Sequence, residues 1–228
     1  MAFSTVREEG AARLQEVNML LGEIRNIESR PGLERDASLQ LKKGLFFVSL
    51  YASFEYTVTR AIGETASQIH STNVKTAHLH HKMYPLALDP QITSIASLGK
   101  DTKWKRRSTL FESQKLLDNA VIYESSLTKE LGNIWCNTFK QIFQAFGIDQ
   151  NHIYDPSANG YIDEVVNNRN MVAHGRSSAT DVGQAYTSGM LEQRLSAVEN
   201  QKEYLISIFE KFIEDREFVS PENISTYR

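Results

Sequence analysis

The stretch from about Leu33 to Ile69 limits the possible folds more than any other. It carries Leu41, Leu45, Phe46, Val48, Leu50, Tyr51, Phe54, Val58 and Ile62, and is the most apolar segment of the chain. A run this long and this apolar predicts one long helix at the centre of a core. Its neighbours keep a helical period. Leu14, Val17, Leu20, Leu21, Ile24 and Ile27 mark a first helix over about Thr5–Ser29, ended by Arg30-Pro31-Gly32. Ile134, Trp135, Phe139, Ile142, Phe143 and Phe146 mark another, stopped by Gly147. Leu191, Leu195, Val198, Tyr204, Leu205, Phe209 and Phe212 mark a last one, from about Met190 to Phe218. No alternating strand pattern of useful length, Gly-rich phosphate loop or internal repeat is present. The pattern predicts an all-α bundle of five to six helices in a single domain over residues 1–228. Residues from about 70 to 107 lack periodicity and are interrupted by Pro85, Pro90 and Gly99, so a loop insertion is expected there. Residues 219–228 are expected to be a short tail.

Charge narrows the partners. The net charge is −3, so any nucleic-acid site must be a local patch. One basic cluster has an aromatic inside it: Lys103, Trp104, Lys105, Arg106 and Arg107, following Lys100. Its cations can hold phosphates and its indole can stack a base, which makes these five residues an RNA-binding candidate. The plainer reading is a solvated turn with a core tryptophan. After the cluster, Leu110, Phe111, Leu116 and Leu117 point to a short helix. His78, His80 and His81 lack the (i, i+4) spacing of a helical zinc pair and have no accompanying cysteines, so neither metal nor cofactor is expected. The single Cys136 fits a reducing compartment, and the N-terminus lacks the apolar segment of a secretory signal. No apolar run approaches the roughly 18 residues that span a bilayer. A cytoplasmic protein without membrane contact is the expectation.

The chemistry concentrates between Gly160 and Gly175, in Gly-Tyr-Ile-Asp-Glu-Val-Val-Asn-Asn-Arg-Asn-Met-Val-Ala-His-Gly. Ile162, Val165 and Val166 have helical spacing, and Gly175 is placed to end the helix. Asp163 and Glu164 are expected in its first turn, where carboxylates suit the dipole. Asn170 and His174 are four apart and share a face. Arg169 lies roughly 140° around from His174, within reach on its long stem. Together they offer a fixed cation, an amide and a group that titrates near neutrality. That set suits phosphodiester cleavage in RNA: one group takes the 2′-OH proton, one protonates the leaving 5′-oxygen, and a cation stabilises the phosphorane. The plain alternative is an amphipathic helix with a capping His and a surface Arg. Glu55, in the richest part of the long apolar segment, has two readings. Buried, it needs a cation or several donors and would support Arg169; otherwise it lies on the polar side of its helix.

Arg169-Asn170-Met-Val-Ala-His174 resembles the HEPN-domain motif of Arg, a polar residue, a short spacer and His. The wider string Ile162–Gly175 is similar to the RiboL-PSP-HEPN branch. Leu50-Tyr-Ala-Ser-Phe-Glu-Tyr-Thr-Val58 is similar to the earlier helix of that branch, which often carries a glutamate where Glu55 stands. The resemblance implies a HEPN-like helical bundle and a metal-independent endoribonuclease. Arg169, Asn170 and His174 would be its catalytic residues and Glu55 would support them. It also implies a homodimer whose motif helices face each other. The family setting implies a toxin or anti-phage defence effector acting on tRNA or mRNA, with an antitoxin or other defence-system protein as a possible partner. A non-catalytic HEPN module binding RNA, a nucleotide or a partner protein is the alternative it leaves.

Overall fold

The chain is all-α in a computed structural model that describes residues 3–33, 36–96, 100–113, 115, 118–128 and 132–227. Helix α1 spans Ser4–Glu28 and α2 spans Ala37–Ser71. Short helices follow: α3 (Tyr84–Ala87), α4 (Asp89–Ala96), α5 (Lys100–Ser113) and α6 (Glu124–Thr128). Then come α7 (Cys136–Phe146), α8 (Asn159–Ala173), α9 (Ala179–Gly183) and α10 (Ser188–Glu214). The ten α-helices among the described residues exceed the expected five to six; six of them (α1, α2, α5, α7, α8 and α10) run 11 residues or more, and the short ones carry no periodicity to be read from sequence. Leu116 and Leu117, expected in a short helix, lie outside the described residues. Among the described residues there is no strand, only isolated bridges.

The expected central helix is α2, at 35 residues and about 52 Å long. The Asp36 carboxylate accepts from the N–H groups of Ser38 and Leu39 at 2.9 and 3.0 Å and satisfies two of the first-turn donors. Phe46, Phe47, Leu50, Tyr51, Phe54, Val58, Ile62 and Ile69 are buried along it, while Leu41 and Leu45 stay exposed. Helices α1, α8, α9 and α10 pack around this one rod. Against α9 the approach is closest. A Cβ on Gly44 would stand 1.9 Å from the Ala179 carbonyl oxygen, and one on Gly183 would stand 1.9 Å from that of Gln40. Two bare backbones therefore touch where the chain leaves α8, which fixes the segment after the motif helix.

Aromatic side chains close the far end of the bundle. Phe54 meets Phe139 of α7 at 5.6 Å between ring centroids, and Phe146 meets Phe209 of α10 at 5.0 Å edge-on. The loop insertion expected at 70–107 is a correction: the segment is largely ordered into turns and the short helices α3, α4 and the start of α5. Val74, Leu79, Met83 and Leu86 bury themselves in the main core. The tail after residue 219 is also fastened down. The N–H of Ser220 donates to the His78 carbonyl at 2.8 Å, and the Tyr227 hydroxyl lies 2.7 Å from His78 Nδ1. Periodicity missed both pieces because short turns of this kind are held by tertiary partners, not by an amphipathic stripe. No helix among the described residues is long and apolar enough to cross a membrane.

Candidate active site

Helix α8 is fixed from both sides. Ile162, Val165 and Val166 are fully buried on its core face. Its acidic residues act elsewhere than expected. The helix begins at Asn159, so Asp163 and Glu164 lie beyond the first turn. Asp163 instead accepts the N–H of Cys136 at 2.8 Å and so caps the start of α7. Glu164 accepts from Arg194 Nε at 2.7 Å and from the Tyr186 hydroxyl at 2.6 Å. Asn168, also buried, donates to that same hydroxyl at 2.7 Å. Burial, and then the Glu164 carboxylate, push the Tyr186 phenol up to about 12, so it stays a donor. This network ties α8 to α10 and leaves the opposite face of α8 for Arg169, Asn170 and His174.

The helix ends where the sequence places its stop. His174 is the C-cap, and Gly175 takes φ +65°, the left-handed region. The N–H of Arg176 donates to the Met171 carbonyl at 2.9 Å and that of Gly175 to Val172 at 3.1 Å. This pair of bonds is the Schellman arrangement. It presents His174 as an exposed residue at the helix terminus, with its own N–H bonded to the Asn170 carbonyl one turn back at 3.1 Å. Asn170 and His174 therefore do follow one another on one face.

Arg169 is half-buried and held in a defined pose. Its Nη1 donates to Asn170 Oδ1 at 2.8 Å and, at 3.4 Å, to Asn133 Oδ1 just before α7. Its Cζ lies 4.4 Å from the ring centroid of Tyr51, a cation–π contact. The Tyr51 hydroxyl in turn donates to Glu55 Oε1 at 3.1 Å and accepts the buried N–H of Ile134 at 3.2 Å. Burial first, and the nearby Glu55 carboxylate second among the raising effects, push the Tyr51 phenol up to about 12. Glu55 is half-buried and meets the site through this phenol. Glu55 thus touches Tyr51, whose ring lies under Arg169, and it keeps one side toward solvent.

Two residues of this cluster escaped the sequence. Tyr51 carried a usable signal, since it stands four before Glu55 on one helix face and tyrosine supplies both a π surface and a hydroxyl. Asn133 carried none: it joins Arg169 across a separation of 36 residues in sequence.

The basic cluster is a helix rather than a turn with a core tryptophan. Lys103, Trp104, Lys105, Arg106 and Arg107 lie on α5, and Trp104 is 76% exposed. Arg107 lies over its ring at 4.9 Å. Among the described residues no hydrogen bond, ion pair or ring contact links these five to Arg169, Asn170 or His174. The histidines of the 70–107 segment serve locally: His80 and His81 stack at 4.3 Å, and His78 holds Tyr227.

An all-helical chain with an anchored arginine, an amide and an exposed histidine at one helix end has the fold and the residue pattern of a HEPN domain. The RiboL-PSP-HEPN family profile matches residues 8–215, nearly the whole chain, and the protein belongs to that family. No curated protein and no solved structure matches it.

Proposed function

We propose that this protein is a metal-independent endoribonuclease. One observation carries the reading: the guanidinium of Arg169 is fixed on Asn170, whose helix face leads one turn on to the exposed His174. A phosphate seated on Arg169 would meet a cation whose direction is already set, which lowers the cost of organising charge in the transition state. The 2′-oxygen attacks phosphorus as its proton leaves, and the bond to the 5′-oxygen breaks as that oxygen gains a proton. The products are a 2′,3′-cyclic phosphate and a 5′-hydroxyl. His174 moves protons, Arg169 carries the developing negative charge and Asn170 holds Arg169 in place. Glu55 acts behind them through Tyr51.

One histidine cannot hold and lack a proton at once. A symmetric homodimer with its motif helices facing each other supplies two His174 side chains, one as base and one as acid. The position of His174 on the surface, at an open helix end, suits completion by a second subunit. The reading extends, on family resemblance, to a cytoplasmic toxin or anti-phage defence effector acting on tRNA or mRNA. In that setting an antitoxin or other defence-system protein would restrain or trigger it.

A second reading has its own support. The Arg169 guanidinium is engaged by two amides through Nη1 and by a ring beneath Cζ, as a structural arginine would be, which fits a HEPN module that binds RNA, a nucleotide or a protein without cleaving. Purified wild type and His174→Ala, incubated with mixed tRNA and mRNA in EDTA, separate the two. Cleavage by wild type alone, yielding cyclic phosphate ends, is expected. Equal cleavage by both proteins refutes the nuclease reading as drawn; cleavage by neither leaves the binding module or an enzyme that awaits an activator.

A further inference from the structure

We infer that α5 is a stacking arm for single-stranded RNA. The inference names the substrate class of the proposed nuclease and rests on that reading for its purpose, while the binding itself does not require catalysis. Between Lys100 and Ser113 the sequence has five cations and two carboxylates in a chain of net charge −3. The helix packs on α4, and Lys105, Arg106 and Arg107 are exposed. Positive charge is thus concentrated on one element of an acidic protein, as the charge of a polyanion requires.

Two large aromatics stand among those cations. Trp104 is 76% exposed and Phe111 66% exposed. Seven residues apart, they fall within about 20° of each other around the helix and about 10.5 Å apart along it. Both rings are therefore open to solvent on the side of the helix that also carries cations. The Arg107 guanidinium lies over one face of the Trp104 ring, 4.9 Å from its centroid, and Lys105 is exposed next to Trp104 in the chain. A base stacking on the other face of the indole would have this guanidinium within reach of its phosphate.

The geometry selects a single-stranded nucleic acid over a duplex or a membrane, and the proposed nuclease reading narrows it to RNA. Paired bases hide their faces, so a duplex offers Trp104 and Phe111 nothing to stack on. A membrane-surface helix needs a broad apolar face, whereas here Ser108 lies between two isolated rings and charge lies on both sides.

The test uses full-length His174→Ala, so that bound RNA stays intact and a failed nuclease reading does not enter. Anisotropy of a labelled 20-mer of uridine is measured against a 20-base-pair RNA duplex and against phosphatidylserine vesicles. Adding Trp104→Ala is expected to weaken uridine binding about 5- to 150-fold, with Trp104→Phe recovering most of it. Arg107→Ala is expected to flatten the slope of log affinity on log salt by about 0.7. Unchanged binding in Trp104→Ala, or duplex bound as tightly as the single strand, overturns the inference. Vesicle binding that is tighter than RNA binding and lost in Trp104→Ala also overturns it, in favour of a membrane-surface helix.

Discussion

Tyr51→Phe tests the link between the central helix and the candidate site. Phenylalanine keeps the ring under Arg169 at the 4.4 Å contact and removes only the hydroxyl. That hydroxyl is the acceptor for the N–H of Ile134, a residue with no exposed surface. Glu55 loses a donor too, but it is half-buried and water can replace the bond. The effect is therefore dominated by one buried donor left unsatisfied, about 1–3 kcal/mol. For a chain of this length each kcal/mol moves Tm by about 2–4 °C, so a fall of about 4–8 °C is expected for a mid-range loss. Urea titration gives the free energy directly, and the slope should not change, since the surface exposed on unfolding is the same. The second readout is RNA cleavage well below Tm, where the variant is almost wholly folded. Loosening the turn at Asn133 and Ile134 releases one of the partners of Arg169, and a fall of about tenfold is expected. The rise or fall of cleavage with pH should keep its midpoint, because no proton-transfer group has changed. Stability within about 0.5 kcal/mol of wild type would show that the phenol does not anchor the turn. Lost stability with unchanged cleavage would show that it has no bearing on Arg169.

Gly44→Ala and Gly183→Ala each place a methyl 1.9 Å from a backbone oxygen, so each should cost about 3 kcal/mol or more and lower Tm by about 6 °C or more; Gly22→Ala, with nothing within 4 Å of the new carbon, should be neutral or stabilising by up to about 1 kcal/mol. Differential scanning calorimetry of the three variants decides, and a harmless Gly44→Ala would refute the close α2–α9 approach. Lys202 is buried, with its ammonium on the Gly10 carbonyl at 3.1 Å and the Ser53 hydroxyl at 3.3 Å, and burial pulls it down from 10.5 to about 8. Below pH 8 both folded and unfolded chains hold this proton; above pH 8 only the unfolded chain does, so wild type should gain stability relative to Lys202→Met by at most about 1.4 kcal/mol per pH unit between pH 8 and 9.5. Parallel urea curves of the two proteins over that range would expose an error in sign or position.

The parts of the fold legible from sequence were those whose stability is local. Residues Leu14 to Ile24 and Leu191 to Phe212 repeat apolar side chains at helical spacing because each helix buries one stripe against α2. The 70–107 segment does not repeat because its pieces are held singly: the N–H of His80 by the Phe218 carbonyl at 2.8 Å, and that of Ala120 by the Val74 carbonyl at 2.7 Å. Bonds between positions so distant in sequence leave no period behind. Helix α9 was invisible for a similar reason. Its five residues are short, and what fixes them is the absence of side chains at Gly44 and Gly183, which reads in sequence as two weak helix formers.

The candidate site divides along the same line. Arg169, Asn170 and His174 were legible because one helix turn and its glycine stop decide their relation, and the Schellman bonds at Gly175 and Arg176 reproduce that stop. A local motif fixes which side chains are present but not the pose of the longest one. An arginine has enough rotatable bonds for its guanidinium to point to solvent, to phosphate or into the protein. Here the choice falls to Tyr51 and Asn133, the first on the central helix and the second in the turn before α7. Asp163, capping α7 from α8, holds that turn against the motif helix, and Ile134 holds it against Tyr51. Three segments remote in sequence thus converge on the direction of one cation. This is the preorganisation that the proposed transition state calls for, since a guanidinium already held in direction need not be reoriented when charge develops on phosphorus.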